Sequence, residues 1–133
     1  MGADDFYSTT DPETFEKLGG YFDLIISTIS SGLDLSKYLN LLAFDGVMVI
    51  VGLPENELPV GLFSLVGGRR SLAGSLIGGI KETQEMLDFC SKNNIESDIE
   101  LIPIQKVNEA YARILKSDVR YRFVIDIKSL KPM

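Results

Sequence analysis

Three short strings carry residue types that let peptide groups come close to a ligand: Ser27-Thr28-Ile29-Ser30, Val51-Gly52-Leu53-Pro54 and Ser75-Leu76-Ile77-Gly78. All three hold small or hydroxyl residues at the end of an apolar run, where backbone donors and acceptors stay open. Ordinary turns share that composition, so spacing alone favours turns over ligand contacts. The cations come in two pairs. Arg69-Arg70 fits either an anion site or the protected edge of a strand. Arg120 and Arg122 flank Tyr121, and alternation in a strand would put both on one face, as a phosphate clamp or as a solvated surface. Cys90, on the apolar side of a helical pattern, reads as a core residue. Gly74 to Gly79 is glycine-rich but lacks the Gly-x-Gly-x-x-Gly spacing of a pyrophosphate loop.

What is absent narrows the chemistry further. The chain has no histidine and one cysteine, so it cannot by itself assemble a Ser-His-Asp or Cys-His nucleophile system. Zinc would have to be held by carboxylates and a single thiol, a poor match to its usual ligands. No intramolecular disulfide can form. The 133 residues amount to one domain, and a hydrophobic fraction of 45% is enough for a core and excludes general disorder. A net charge of −6 argues against a nucleic-acid partner. No apolar run approaches the roughly 20 residues of a membrane span, and no basic-then-apolar signal opens the sequence. The expectation is a cytoplasmic protein that binds a ligand.

The elements that must position these strings can be read from pattern. Asp11-Pro12-Glu13 opens a short helix that stops at Gly19-Gly20. Phe22 to Thr28 is an apolar, β-branched run of the kind buried on both faces. Asp34 to Ala43 predicts a helix with Leu35, Tyr38, Leu39 and Leu42 on one face, ended by Asp45-Gly46. Gly46 to Gly52 predicts a second buried strand, so a parallel pair with a crossover helix is the economical arrangement. Val60 to Val66 predicts one or two helical turns, Ser71 to Ile77 a third strand, and Lys81 to Asn93 a helix with Ile80, Leu87 and Cys90 aligned and Asn94 as terminator. Ile99 to Ile104 is a strand whose proline marks an edge or a turn. Val107, Ala110, Tyr111, Ile114 and Leu115 mark an amphipathic helix, and Tyr121 to Ile127 a last strand. The class is α/β, with roughly one half of a doubly wound nucleotide-binding sheet plus a tail.

Several segments together resemble the carboxyl half of cinnamyl alcohol dehydrogenases, within the zinc-dependent medium-chain alcohol dehydrogenases. They are Val51-Gly52-Leu53-Pro54-Glu55, the run from Arg69 to Met86 containing Gly78-Gly79-Ile80-Lys81-Glu82-Thr83-Gln84-Glu85-Met86, and Ser117-Asp118-Val119-Arg120-Tyr121-Arg122-Phe123-Val124-Ile125-Asp126. Gly2-Ala3-Asp4-Asp5 resembles the family's Gly-Ala-Asp segment. Order and spacing match across essentially the whole chain.

The resemblance implies the second half of a Rossmann-type doubly wound parallel sheet over residues 1–95. Residues 96–133 would be a carboxyl-terminal helix-strand segment returning to the catalytic domain. It implies an NADP(H) cofactor, with Thr28 near a ribose, Val51, Gly52 and Leu53 against the nicotinamide half through backbone groups, Ser75, Leu76 and Ile77 holding the carboxamide, and Arg120 on the pyrophosphate. Phe63, Val66, Leu76 and Ile77 would line a pocket for a small alcohol or aldehyde. Gly67-Gly68 departs from the plant pattern of that pocket helix. The strand from Ser71 to Ser75 would extend the sheet across a homodimer. In the family the zinc ligands and the glycine fingerprint lie upstream of the segments matched here. The expectation is therefore a fragment of an alcohol dehydrogenase, inactive alone, with zinc bound only by the parent enzyme. The alternatives are a standalone dimerising or cofactor-binding module, and a zinc-free reductase of the quinone-reductase type, against which the Asp-Val-Arg-Tyr-Arg-Phe string argues.

Overall fold

Apolar runs separated by short turns pair in parallel when a helix carries the chain back between them. The computed structural model describes residues 2–130. The described residues fall into two compact units that divide between Ile77 and Gly78. In the first unit the order is α1 (Glu13–Lys17), β1 (Phe22–Ser27), α2 (Leu35–Leu39), β2 (Leu42–Ile50), α3 (Phe63–Val66) and β3 (Ser71–Gly74). The strands form one parallel sheet in the order β1-β2-β3. Asp11 starts α1 by accepting the Glu13 amide through Oδ1 at 3.0 Å, and Gly20, at φ +69°, turns the chain toward β1.

The core lies on one face of this sheet. Ile25, Met48 and Leu72 stand side by side in the strand register. Buried Leu35 and Leu39 of α2 and Leu42 of β2 close over Met48, and Leu65 of α3 packs at the rim. The opposite face is open: Leu24 is 55% exposed and Ile26 61%. The expectation of strands buried on both faces therefore holds for one face only. No helix of this unit covers the other face.

Two boundaries also move. Leu42, expected to end the α2 face, is the first residue of β2. The helix stops earlier because the carbonyls of Asn40 and Leu41 accept the amides of Gly20, Tyr21 and Phe22, at 2.8–3.0 Å. Between Leu42 and Val47 the pairing with β1 skips, and Asp45 takes φ 62° in the bulge. Asp45-Gly46 thus lies within a strand rather than after a helix. β3 ends at Gly74 rather than Ile77 because β2 ends at Ile50, whose carbonyl takes the Ser75 amide at 3.1 Å and leaves no partner beyond.

The second unit contains α4 (Ile80–Lys92), β4 (Glu100–Pro103), a 3-10 turn, α5 (Val107–Ile114), β5 (Phe123–Asp126) and a closing 3-10 turn. β4 and β5 pair in parallel. Val107, Ala110 and Ile114 of α5 face Ile102, Phe123 and Ile125 across a groove of about 170 Å³. Leu115, expected on that face, is exposed. So are Leu101, Val124 and Ile127. α4 has no buried residue, so its predicted Ile80-Leu87-Cys90 face is uncovered. Asn94 does take the left-handed conformation, at φ 54°. The last strand begins at Phe123 rather than Tyr121, so Arg120 and Arg122 sit in the preceding loop and the alternation argument does not apply to them.

The chain exposes 11020 Å². Two separate compact bodies of these sizes would expose about 8,400 Å² by the scaling of surface with mass. Exposed apolar residues of the sheets and helices, among them Leu24, Ile26, Ile80 and Leu101, contribute to the excess. Fully buried Leu39 is the test of the core that does form. Leu39→Ala should cost about 2–5 kcal/mol in urea unfolding followed by circular dichroism; a loss below about 1 kcal/mol would mean the α2 face is not packed as described.

Candidate functional site

In an open parallel sheet ligands bind beyond the carboxyl ends of the strands. The sequence-predicted residues of the first unit fall there. Ser27, the buried last residue of β1, accepts through its carbonyl from the amides of both Val51 and Gly52, at 2.9 and 3.0 Å. The Ile50 carbonyl then takes Ser75. This chain of peptide bonds brings Thr28, Val51-Gly52-Leu53 and Ser75-Leu76-Ile77 to one end of the sheet.

Gly52 is where the loops meet most closely. A Cβ built on it would lie 2.4 Å from the Ile29 carbonyl oxygen and 2.6 Å from the Thr28 carbonyl carbon. Both are backbone atoms that cannot swing aside. Beside this contact a cleft of about 280 Å³ opens between the loops after β1 and β2, lined by Ser30, Ser31, Gly32, Pro54, Asn56 and neighbouring side chains. The sequence reading reached Ser30 and Pro54 but missed Ser31 and Asn56. They lie beyond the apolar runs, and only the fold of the two loops brings them together.

Leu76 and Ile77 project outward, 89% and 92% exposed. Among the described residues no protein acceptor takes their amides. Exposed amides with apolar side chains beside them suit a flat, partly polar group such as a carboxamide on an aromatic ring. Phe63 and Val66 of α3 are largely exposed as well, so none of the four residues expected to line an alcohol pocket is enclosed by the described residues.

The arginine pairs separate. Arg69 binds Asp45 through Nε and Nη2, both at 2.8 Å, and lies over the Phe44 ring. Arg70 donates to the Leu42 carbonyl, the Asn40 side chain and the Ser64 carbonyl at 2.9–3.1 Å. Both are structural ties across the β2 bulge, which settles their role in favour of the protein and against a free anion site. In the second unit Arg120 is exposed, and among the described residues no carboxylate stands within ion-pair distance of it or of Arg122. Cys90 is half-buried, with Sγ 3.7 Å from the Met86 sulfur.

The nicotinamide half of a dinucleotide fits these groups: open amides, a tight Gly52 contact and apolar neighbours. Zinc does not. Among the described residues no group of three or more His, Cys, Asp or Glu side chains could hold a metal. No helix there is long and apolar enough to cross a membrane.

A three-stranded parallel sheet with glycine-tight carboxyl ends is the frame of a dinucleotide-binding domain. Residues 1–92 match the family described as Zinc-binding dehydrogenase, and the chain belongs to it. It is 56% identical over 131 residues to NADP-dependent alcohol dehydrogenase C 1 of Mycolicibacterium smegmatis, matching 98% of this chain and 38% of that protein. Among solved structures it is similar to a cinnamyl alcohol dehydrogenase from Sorghum bicolor, with TM-score 0.88 and 37% identity over 98% of this chain and 37% of the other. It is also similar to the CAD of Helicobacter pylori complexed with NADP(H), with TM-score 0.70 and 42% identity over 86% and 34%. The chain thus spans well under half the length of the relatives it matches.

The Gly52 contact is directly testable. Gly52→Ala should destabilise the first unit by about 1–3 kcal/mol, because backbone must move to admit the methyl group. Gly32→Ala, with open space at its Cβ, should change stability by no more than about 0.5 kcal/mol. Equal urea midpoints for the two variants would contradict the close approach of the loops.

Proposed function

We propose that this chain forms the nicotinamide-side half of the cofactor site of an NADP(H)-dependent alcohol dehydrogenase acting on a small alcohol or aldehyde. The observation that carries the reading is the pair of open amides at Leu76 and Ile77, brought to the same end of the sheet as Val51-Gly52-Leu53 by the Ser27 and Ile50 carbonyls. The names of the relatives, NADP-dependent and cinnamyl alcohol dehydrogenases, support it.

When bound, NADP(H) supplies or accepts the hydride. The chain's own residues orient it: Thr28 toward a ribose and Ser75 to Ile77 toward the carboxamide; Arg120, a fork-shaped donor, is assigned to the pyrophosphate on the family resemblance alone. Phe63, Val66, Leu76 and Ile77 offer the apolar wall that keeps water from the reacting carbon. Polarising the substrate oxygen, the usual task of zinc in such chemistry, falls to groups outside this set, since the chain has no histidine. We assign residues 1–95 to the cofactor domain and 96–133 to a segment that packs with the catalytic domain. The family match ending at residue 92 supports that division, while by compactness α4 groups with the second unit, which begins at residue 78. The uncovered face at Leu24 and Ile26 and the exposed Leu101, Val124 and Ile127 support packing against further protein. On this reading the chain alone is a part of the enzyme, without turnover.

The second reading is a non-catalytic module that dimerises, and the one-sided pairing of β3 favours it. The edge from Ser71 to Ser75 would meet its own copy. Sedimentation equilibrium should then give twice the chain mass, and a monomer at high concentration would contradict pairing. For the cofactor reading the test is titration with NADPH, followed by nicotinamide fluorescence. Arg120→Gln should weaken binding about tenfold, the worth of one charge-assisted contact. NADH should lose the same factor, because the pyrophosphate is common to both. Unchanged affinity in the variant would remove Arg120 from the site.

A further inference from the structure

The loop from Ser117 to Arg122 lies between α5 and β5 and carries Arg120. Its ends are fixed by backbone. The amides of Ser117 and Asp118 return to the carbonyls of Ile114 and Arg113 at 2.9 and 3.0 Å, with Ser117 at φ 56°. At the far end the Glu100 amide donates to the Arg122 carbonyl at 3.0 Å. Nothing in this backbone pairing holds the middle, where Arg120 sits.

The middle is held through Arg113. From the last turn of α5 its Nε donates to Asp118 Oδ2 at 2.9 Å, and its Nη1 reaches Glu100 Oε2 at 2.8 Å. Its guanidinium carbon lies 4.7 Å from the centre of the Phe123 ring. The other oxygen of Glu100, Oε1, accepts the amide of Arg120 itself at 3.4 Å. One guanidinium therefore joins a carboxylate inside the loop to a carboxylate that bonds the Arg120 backbone from β4. Isolated surface ion pairs contribute little. This one is a network of two carboxylates and an aromatic face, and the Arg113 side chain is only 31% exposed. Glu100, then Asp118, raise the guanidinium's pKa above its ordinary value. The link is therefore fully charged below the ordinary arginine range and is lost only above it. A lysine in its place would offer a point charge without the planar fork.

We propose that Arg113 is a positioning residue for Arg120: by bridging Asp118 and Glu100 it fixes the loop that presents the Arg120 guanidinium to the pyrophosphate of a dinucleotide. This rests on Arg120 being the anion ligand. Arg113 itself touches no ligand. Its effect should therefore appear in affinity only while Arg120 is present.

The test uses the full chain, Arg113→Gln, Arg113→Lys, Arg120→Gln and the Arg113→Gln/Arg120→Gln double variant. Affinity is read by NADPH fluorescence titration, and the loop by hydrogen exchange of a peptide spanning residues 117–122. Arg113→Gln should weaken NADPH about tenfold in the presence of Arg120 and leave affinity unchanged in its absence. Arg113→Lys should recover only part of that loss. Exchange of the loop amides should quicken in both Arg113 variants, with β1 to β3 unaffected. Equal losses with and without Arg120, or unaltered exchange of the loop, would overturn the proposal. If the chain binds no NADPH, or Arg120→Gln binds as well as the parent, the reading of Arg120 fails. The exchange result then still decides whether Arg113 holds the loop.

Discussion

A Cβ on residue 52 would meet the backbone of Thr28 and Ile29 at 2.4–2.7 Å, and the loops after β1 and β2 run where they do because glycine leaves that space empty. The contact follows from strand pairing. Once Ser27 has given its carbonyl to the two successive amides that follow β2, the chain leaving β1 passes close over residue 52. The same hydrogen bonds, which occupy the amides of residues 51, 52 and 75, bring residues 51–53 and the open amides of Leu76 and Ile77 to one end of the sheet. Packing and ligand geometry share one origin here. A side chain that disturbed one would disturb the other.

The two faces of the sheet are unequal. Met48, Leu39 and Leu42 are fully buried on one side, while Leu24 and Ile26 lie open on the other. Parallel strands are normally covered on both faces, because their crossovers place helices on each. The second unit repeats the asymmetry on a smaller scale: Ile102 and Ile125 face α5, and Leu101 and Val124 face outward. These apolar surfaces contribute to the large exposed area, and they agree with a chain that spans about two-fifths of its relatives' length.

Much of this was legible in the residues. The β-branched runs at 22–28 and 46–52 announced parallel strands, Asn94 announced a helix end, and Pro103 announced the turn that follows β4. The family resemblance, carried by the strings 78–86 and 117–126, is borne out by the family match and by the relatives. What pattern could not supply was competition between partners. Leu42 has helical spacing, but the Asn40 and Leu41 carbonyls are claimed by β1, so the residue starts a strand instead. Leu76 and Ile77 have strand composition but no neighbour to pair with. Arg69 and Arg70 looked like candidates for an anion, and only the bulge at Asp45 shows that both are already occupied. Arg113 was invisible as anything but a helix residue, because its partners lie on β4 and in the following loop.

The account turns on the strand ends being the cofactor contact. The most direct measurement is the amide NMR spectrum of the isotopically labelled chain as NADPH is added. The account predicts shifts concentrated at Thr28, residues 51–53 and residues 75–77, with the α2 core residues unmoved. Shifts that gather elsewhere, or none at saturating cofactor, would contradict it.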